Sequence, residues 1–127
     1  MRILADTHAL LWWWKTPQQL SAVAKRAMES DSNMILISAA VAWEIAIKTK
    51  TGRINFDAVL ARWDDLLAED NFTELPIVSE HGIRAGQLPL HHRDPFDRLL
   101  AAQAQSQDLP ILSADRIFDA YGVRRIW

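Results

Sequence analysis

Cysteine is absent from the 127 residues, so disulfide frameworks, thiolate metal sites and cysteine nucleophiles are excluded, and a reducing setting is expected. Glycine and proline are scarce, at four and five, which excludes collagen-like, linker-rich and low-complexity architecture. A dominant charge is lacking as well. Fourteen Lys and Arg face sixteen Asp and Glu, a net of −2, so no global positive field marks a nucleic-acid binder. The apolar stretch Ala9–Trp14 is too short to span a bilayer and has no signal-peptide layout, so a cytoplasmic protein is expected.

What is abundant is apolar surface. Half the residues are hydrophobic, the length suits one domain over residues 1–127, and folding removes roughly two-thirds of the extended chain's area from water. Such a core needs no metal to hold it, so any metal is functional. Trp12, Trp13 and Trp14 stand in succession. Helical positions are about 100° apart, so the three cannot share one core face and at least one is expected exposed, as a partner surface or partly under a loop.

Short apolar or β-branched runs alternate with helical patterns. Arg2–Ala5 reads as a buried strand, and a helix over His8–Lys15 ends at Thr16-Pro17. Ser21 caps a second helix ending near Ser30, and Met34–Ser38 is the next strand. A helix over Ala40–Lys50 stops at Gly52, an amphipathic helix fits Asp57–Glu69, and Phe72–Ile77 reads as a strand. A short helix covers Ser79–Gly86, a loop Leu88–Arg93, and a longer helix runs to about Gln107 with Pro95 at its first position. Pro110–Ser113 and Val123–Ile126 read as strands on either side of a helical turn at Arg116–Tyr121. This alternation predicts an α/β fold, a central, mostly parallel sheet flanked by helices on both faces.

In such sheets the active crevice lies beyond the carboxyl ends of the strands, and the residues there are acids. Asp6 follows the first strand, Glu44 sits one turn into the helix after the second, Asp97 opens the long helix, and Asp115 follows Ser113. Each has a structural alternative. Asp6 and Asp115 suit helix caps, and Asp97 suits the third position after an Asp94 cap, although Asp94 explains that cap alone. Glu44 is the one polar residue between Ala39 and Ile47, and a Glu44–Lys48 pair is its ordinary explanation. Coincidence accounts for each acid better than for all four. Carboxylates crowded together stay ionised at neutral pH when a hard divalent cation joins them, and an oxygen-only set favours Mg²⁺ or Mn²⁺ over zinc. Such ions activate water and neutralise charge on a phosphodiester.

The segments Leu4-Ala5-Asp6-Thr7-His8-Ala9-Leu10-Leu11-Trp12, Ser38–Lys48, His92-Arg93-Asp94-Pro95-Phe96-Asp97-Arg98 and Ser113-Ala114-Asp115-Arg116-Ile117-Phe118, in this order, resemble the PIN-domain family and its VapC-type toxins of bacterial toxin–antitoxin pairs. The resemblance covers essentially the whole chain. It implies a Mg²⁺- or Mn²⁺-dependent endoribonuclease whose catalytic, metal-holding acids are Asp6, Glu44, Asp97 and Asp115, with Thr7 and Ser113 as hydroxyls close to the metal. It also implies RNA as substrate, water attack leaving 5′-phosphate and 3′-hydroxyl ends, an antitoxin that occupies the groove, and a homodimer. The fourth acid stands in a Ser-Ala-Asp context where the family often has Thr-x-Asp; serine keeps the hydroxyl, and Asp119 is the alternative for that position.

Arg93, Arg98 and Arg116 flank the acids and are candidate phosphate contacts, whereas Arg124 and Arg125 read as solvated or salt-bridged surface. His8, His91 and His92 are optional metal or proton-transfer groups. The competing reading is a PIN-like binding module without catalysis, in which the acids are caps and the tryptophans carry recognition; it needs no divalent metal. A receiver-type phosphoacceptor lacks its paired acids and late lysine here. An Asp-x-Asp phosphatase fails because position 8 is His.

Overall fold

Ile3, Leu4 and Ala5 are buried to 1% exposure or less because their strand is the middle of the sheet. The computed structural model describes residues 1–127. The sheet comprises β1 (Arg2–Ala5), β2 (Met34–Ser38), β3 (Thr73–Leu75), β4 (Ile111–Leu112) and β5 (Arg125–Ile126). Its order is β3-β2-β1-β4-β5, and every neighbouring pair is parallel. Leu4 lies beside Leu36 on one side and Ile111 on the other, so β1 carries the near-continuous apolar run of a strand covered on both faces.

Helices make the crossovers: α1 (Thr7–Lys15), α2 (Ala22–Glu29), α3 (Ala39–Lys50), α4 (Asp57–Ala61), α5 (Trp63–Glu69), α6 (Ser79–Gln87), α7 (Pro95–Gln107) and α8 (Ile117–Ala120). A 3₁₀ turn at Pro17–Gln19 joins α1 to α2. The middle of α7, Leu100 through Ala104, is buried on every face. After α3, Gly52 takes φ +78°, a left-handed conformation that costs glycine little and closes the helix. No helix is long and apolar enough to cross a membrane.

The α/β expectation holds, with three differences of detail. The Asp57–Glu69 helix is two helices, because Arg62 leaves helical geometry at φ −118°, ψ 25° and the bend sets Trp63 edge-on to Trp14, ring centres 5.6 Å apart. The late strands are shorter than their apolar runs. Pro110 has no N–H to donate, yet its carbonyl accepts from Leu4 N–H at 3.0 Å and extends the ladder without counting as strand.

The third difference concerns the tryptophans: none of the three is exposed, against expectation. Each is half-buried on a different neighbour, Trp12 against Trp127, Trp13 against Phe72 and Trp14 against Trp63. The helical fan of 100° per residue operates as anticipated, but separate aromatic partners receive each ring. Asp70 accepts from the indole N–H of both Trp13 and Trp14, at 3.2 and 2.7 Å.

The chain runs outward from β1 to β2 and β3, then returns to place β4 and β5 on the other side of β1. The reversal falls between β1 and β4. A crevice opens at the carboxyl ends of strands at such a switch point.

Candidate active site

Asp6 leaves β1 directly into that crevice. Its Oδ1 accepts from Ala9 N–H at 2.8 Å, so it also caps α1 and starts the helix at Thr7, one residue earlier than the sequence pattern suggests. Asp6 is 5% exposed. Burial pushes its pKa above the ordinary value of 3.8; the Ser113 hydroxyl, the Ala9 N–H and His8 pull it down, and Asp115 pushes it up again.

Glu44 reaches the crevice from the first turns of α3 and is 3% exposed. Its expected pairing is present: Lys48 Nζ donates to Oε2 at 2.6 Å. Thr7 Oγ1 donates to Oε1 at 2.5 Å. An ionised carboxylate in an apolar helix is costly unless so partnered, and each oxygen retains accepting capacity beyond these bonds.

Asp97 enters from α7, whose first residue is Pro95 and whose cap is Asp94, with Oδ1 accepting from Phe96 N–H at 2.9 Å. Burial raises Asp97 from 3.8 to about 6, and the negative charges of Asp94, Glu44 and Asp6 add to the rise. Against these, His92 Nε2 bonds Asp97 Oδ2 at 2.9 Å and lowers it. Asp115, beyond β4, is exposed; its N–H donates to Ser113 Oγ and its Oδ1 accepts from Ile117 N–H, both at 3.0 Å. Asp97 thus senses Glu44 and Asp6, and Asp6 senses Asp115, which links acids from four separate segments through one crevice.

Asp119 turns elsewhere. It is exposed and takes Arg125 Nε at 3.0 Å, and it is absent from the charges acting on Asp6 and Asp97. Arg125 also donates to the Ser113 carbonyl at 3.0 Å, the salt-bridged role anticipated for it. Arg93 and Arg116 are exposed, with no ion-pair partner.

Arg98 requires a correction. Expected to meet phosphate, its guanidinium turns inward and donates to the carbonyls of Ala85, Leu88 and His92 at 2.7, 3.3 and 3.4 Å. It is a clamp on the Leu88–Arg93 loop. Tyr121 holds the same loop from the other side, its hydroxyl donating to Pro89 O and accepting from His92 N–H, both at 3.0 Å.

Sequence reasoning treated Asp94 as a cap alone, and it gave Tyr121 no role. The ligand-type atoms of His92, Asp94 and Asp97 lie within 4.8 Å of one another, so Asp94 caps α7 and adds charge to the crevice at once. The sequence signal was the close spacing of His92, Asp94 and Asp97; nothing in the sequence marks Tyr121, whose contacts are about thirty residues away. The largest groove, about 510 Å³ between α6 and the Leu88-Pro89 turn, contains none of the four acids. A cleft of about 220 Å³ is bounded by Asp6, His8, Trp12, Ala114 and Asp115.

A parallel α/β domain with carboxylates gathered at its switch point is the class defined by these features. A model of the PIN domain matches residues 3–123, and Ribonuclease VapC22 of Mycobacterium tuberculosis is 32% identical over 116 residues, 90% of this chain and 87% of that protein. The chain belongs to the PIN-domain family, as a VapC-type member. Solved structures share the fold at lower identity. VapBC2 from Rickettsia felis, bound to a DNA fragment from their promoter, superposes with a TM-score of 0.71 at 12% identity over 100% of both chains. A toxin-antitoxin complex from Klebsiella pneumoniae gives 0.64 at 20% identity, covering 90% of this chain and 87% of that one.

Proposed function

We propose that this protein is a divalent-cation-dependent endoribonuclease acting as the toxin of a toxin–antitoxin pair. The observation that supports the reading most is the charge coupling among the acids, Asp97 with Glu44 and Asp6 and Asp6 with Asp115, beside the switch point between β1 and β4. The name of the Mycobacterium tuberculosis relative supports the same activity.

The residues fit a hard cation. Asp6, Glu44, Asp97 and Asp115 offer only oxygen, and burial first, with neighbouring carboxylates adding, holds Asp6 and Asp97 above their ordinary pKa. These four would hold Mg²⁺ or Mn²⁺. Such an ion, when bound, supplies an activated water and neutralises charge on a phosphodiester. The chain itself does the positioning. Thr7 and Lys48 fix the carboxylate of Glu44, Ser113 shares its hydroxyl between the Asp115 N–H and Asp6, and Arg98 with Tyr121 holds the loop that brings His92 to Asp97. Arg93 and Arg116, exposed and unpaired, contact RNA phosphates.

An antitoxin protein is the proposed inhibitor, consistent with the toxin–antitoxin complexes among the structural relatives. Exposed Trp43, Ile83 and Leu90 supply apolar surface for such a partner or for a second copy in a homodimer. The absence of cysteine supports a cytoplasmic setting.

The test is cleavage of mixed RNA by antitoxin-free protein with Mg²⁺ or Mn²⁺ and with EDTA, beside Asp6→Asn and Glu44→Gln. Cutting is expected with the cation, absent in EDTA and reduced at least about a hundredfold in both variants. A folded wild type that never cuts, or variants that cut equally well, returns the protein to the non-catalytic binding reading.

A further inference from the structure

Trp13 and Trp14 spend their indole N–H groups on Asp70, but Trp12 Nε1 has no hydrogen-bond partner. Trp12 instead lines a cleft that Asp6 and Asp115 also line. Two tilted neighbours steady the ring, Trp127 at 5.6 Å and 55° and exposed His8 at 5.6 Å and 41°. A rigid indole with a free donor therefore stands beside the proposed cutting site. The cleft, about 220 Å³, is below the roughly 300 Å³ at which drug-sized sites begin, a size that suits one planar ring.

We propose that Trp12, flanked by His8, is a base-stacking subsite that takes one unpaired nucleobase of an RNA strand whose neighbouring phosphate lies at the acids. This rests on the nuclease reading above. Three physical points favour a base over a phosphate there. Indole offers a π-face and no positive charge, so it takes a neutral ring, with little sequence preference, rather than a phosphate. The free N–H, which lies in the ring plane, is available to an acceptor on the adjoining nucleotide while the face takes the base. The chain is net negative, so phosphate contacts alone make a weak grip that stacking supplements. Bases in an A-form duplex are already stacked, so the subsite selects single-stranded or looped RNA.

The experiment measures binding of a fluorescent eight-nucleotide single-stranded RNA to Asp97→Asn protein, chosen to stop turnover, and to the same protein carrying Trp12→Phe or Trp12→Leu. Trp12→Leu is expected to weaken binding about tenfold or more, Trp12→Phe about threefold or less, and an abasic position in the RNA to reproduce the Trp12→Leu loss without adding to it. The assigned Trp12 indole N–H resonance of the unsubstituted ring is expected to shift on RNA addition, a readout independent of any folding defect in the Leu variant. Unchanged affinity in folded Trp12→Leu protein, or a Trp12 resonance that stays put while RNA binds, overturns the subsite. Wild-type cleavage is read separately. Cutting without dependence on Trp12 sinks the subsite alone, Trp12-dependent binding without cutting sinks the nuclease reading alone, and absence of binding sinks both.

Discussion

At the scale of single residues, the account turns on carboxylates that burial makes reluctant to ionise. Burial raises Asp97 to about 6 against an ordinary 3.8. Between those values the folded chain holds a proton that the unfolded chain has released, so stability falls as pH rises through the window and is lowest above it. A rise of roughly two units corresponds to on the order of 3 kcal/mol. Urea titrations of EDTA-treated protein are expected to give lower stability at pH 7.5 than at pH 5, with Asp97→Asn flattening the difference. A profile that climbs from pH 5 to 7.5 would contradict the burial of Asp97 among like charges. Thr7 makes a second case. Thr7→Val leaves a buried oxygen of Glu44 without its donor, and the expected loss is about 1–3 kcal/mol in denaturant midpoint analysis, with Thr7→Ser close to wild type. The acids at strand ends were legible from sequence because an acid inside an apolar run is locally conspicuous. The inward turn of Arg98 was not, since a guanidinium beside three acids looks the same in sequence whether it meets phosphate or the carbonyls of a preceding loop.

At the scale of elements, the loop from Leu88 to Arg93 is the part that depends most on side-chain clamps, because it lies between α6 and α7 with few backbone bonds of its own. Arg98→Lys cannot reproduce a planar fork reaching three carbonyls. Hydrogen exchange in that loop is expected to quicken at least tenfold in Arg98→Lys and in Tyr121→Phe while β1 and β2 stay protected; uniform exchange in both variants would remove the clamp from the account. The tryptophan helix makes a parallel case. Asp70→Ala strips the acceptor from two indoles, with an expected cost of about 1–3 kcal/mol and a change in tryptophan emission. Helices and central strands could be read from periodicity, apart from the Arg62 break. That break, and the three separate aromatic seats on α1, depend on Phe72, Trp63 and Trp127, which lie far along the chain, and no local pattern encodes them.

At the scale of the whole molecule, topology gathers the site: the order β3-β2-β1-β4-β5 puts the reversal beside β1, and the residues after β1 and β4 share its crevice. The order of strand and helix signals made the parallel sheet legible in advance, and with it the region where the acids meet. With a net charge of −2 and Arg93 and Arg116 as the phosphate contacts, RNA affinity is expected to depend only mildly on salt, with a log–log slope of about −1.4 for two contacts to single-stranded RNA. A much steeper slope would point to a basic surface elsewhere. The central claim, that carboxylates from separate segments form one cation site, is tested most directly by calorimetric titration of Mn²⁺ into wild type, Asp6→Asn and Asp97→Asn at pH 7.5 and pH 5.5. Binding is expected in wild type, stronger at pH 7.5, and lost in both variants. Mn²⁺ affinity that is indifferent to both substitutions would contradict it.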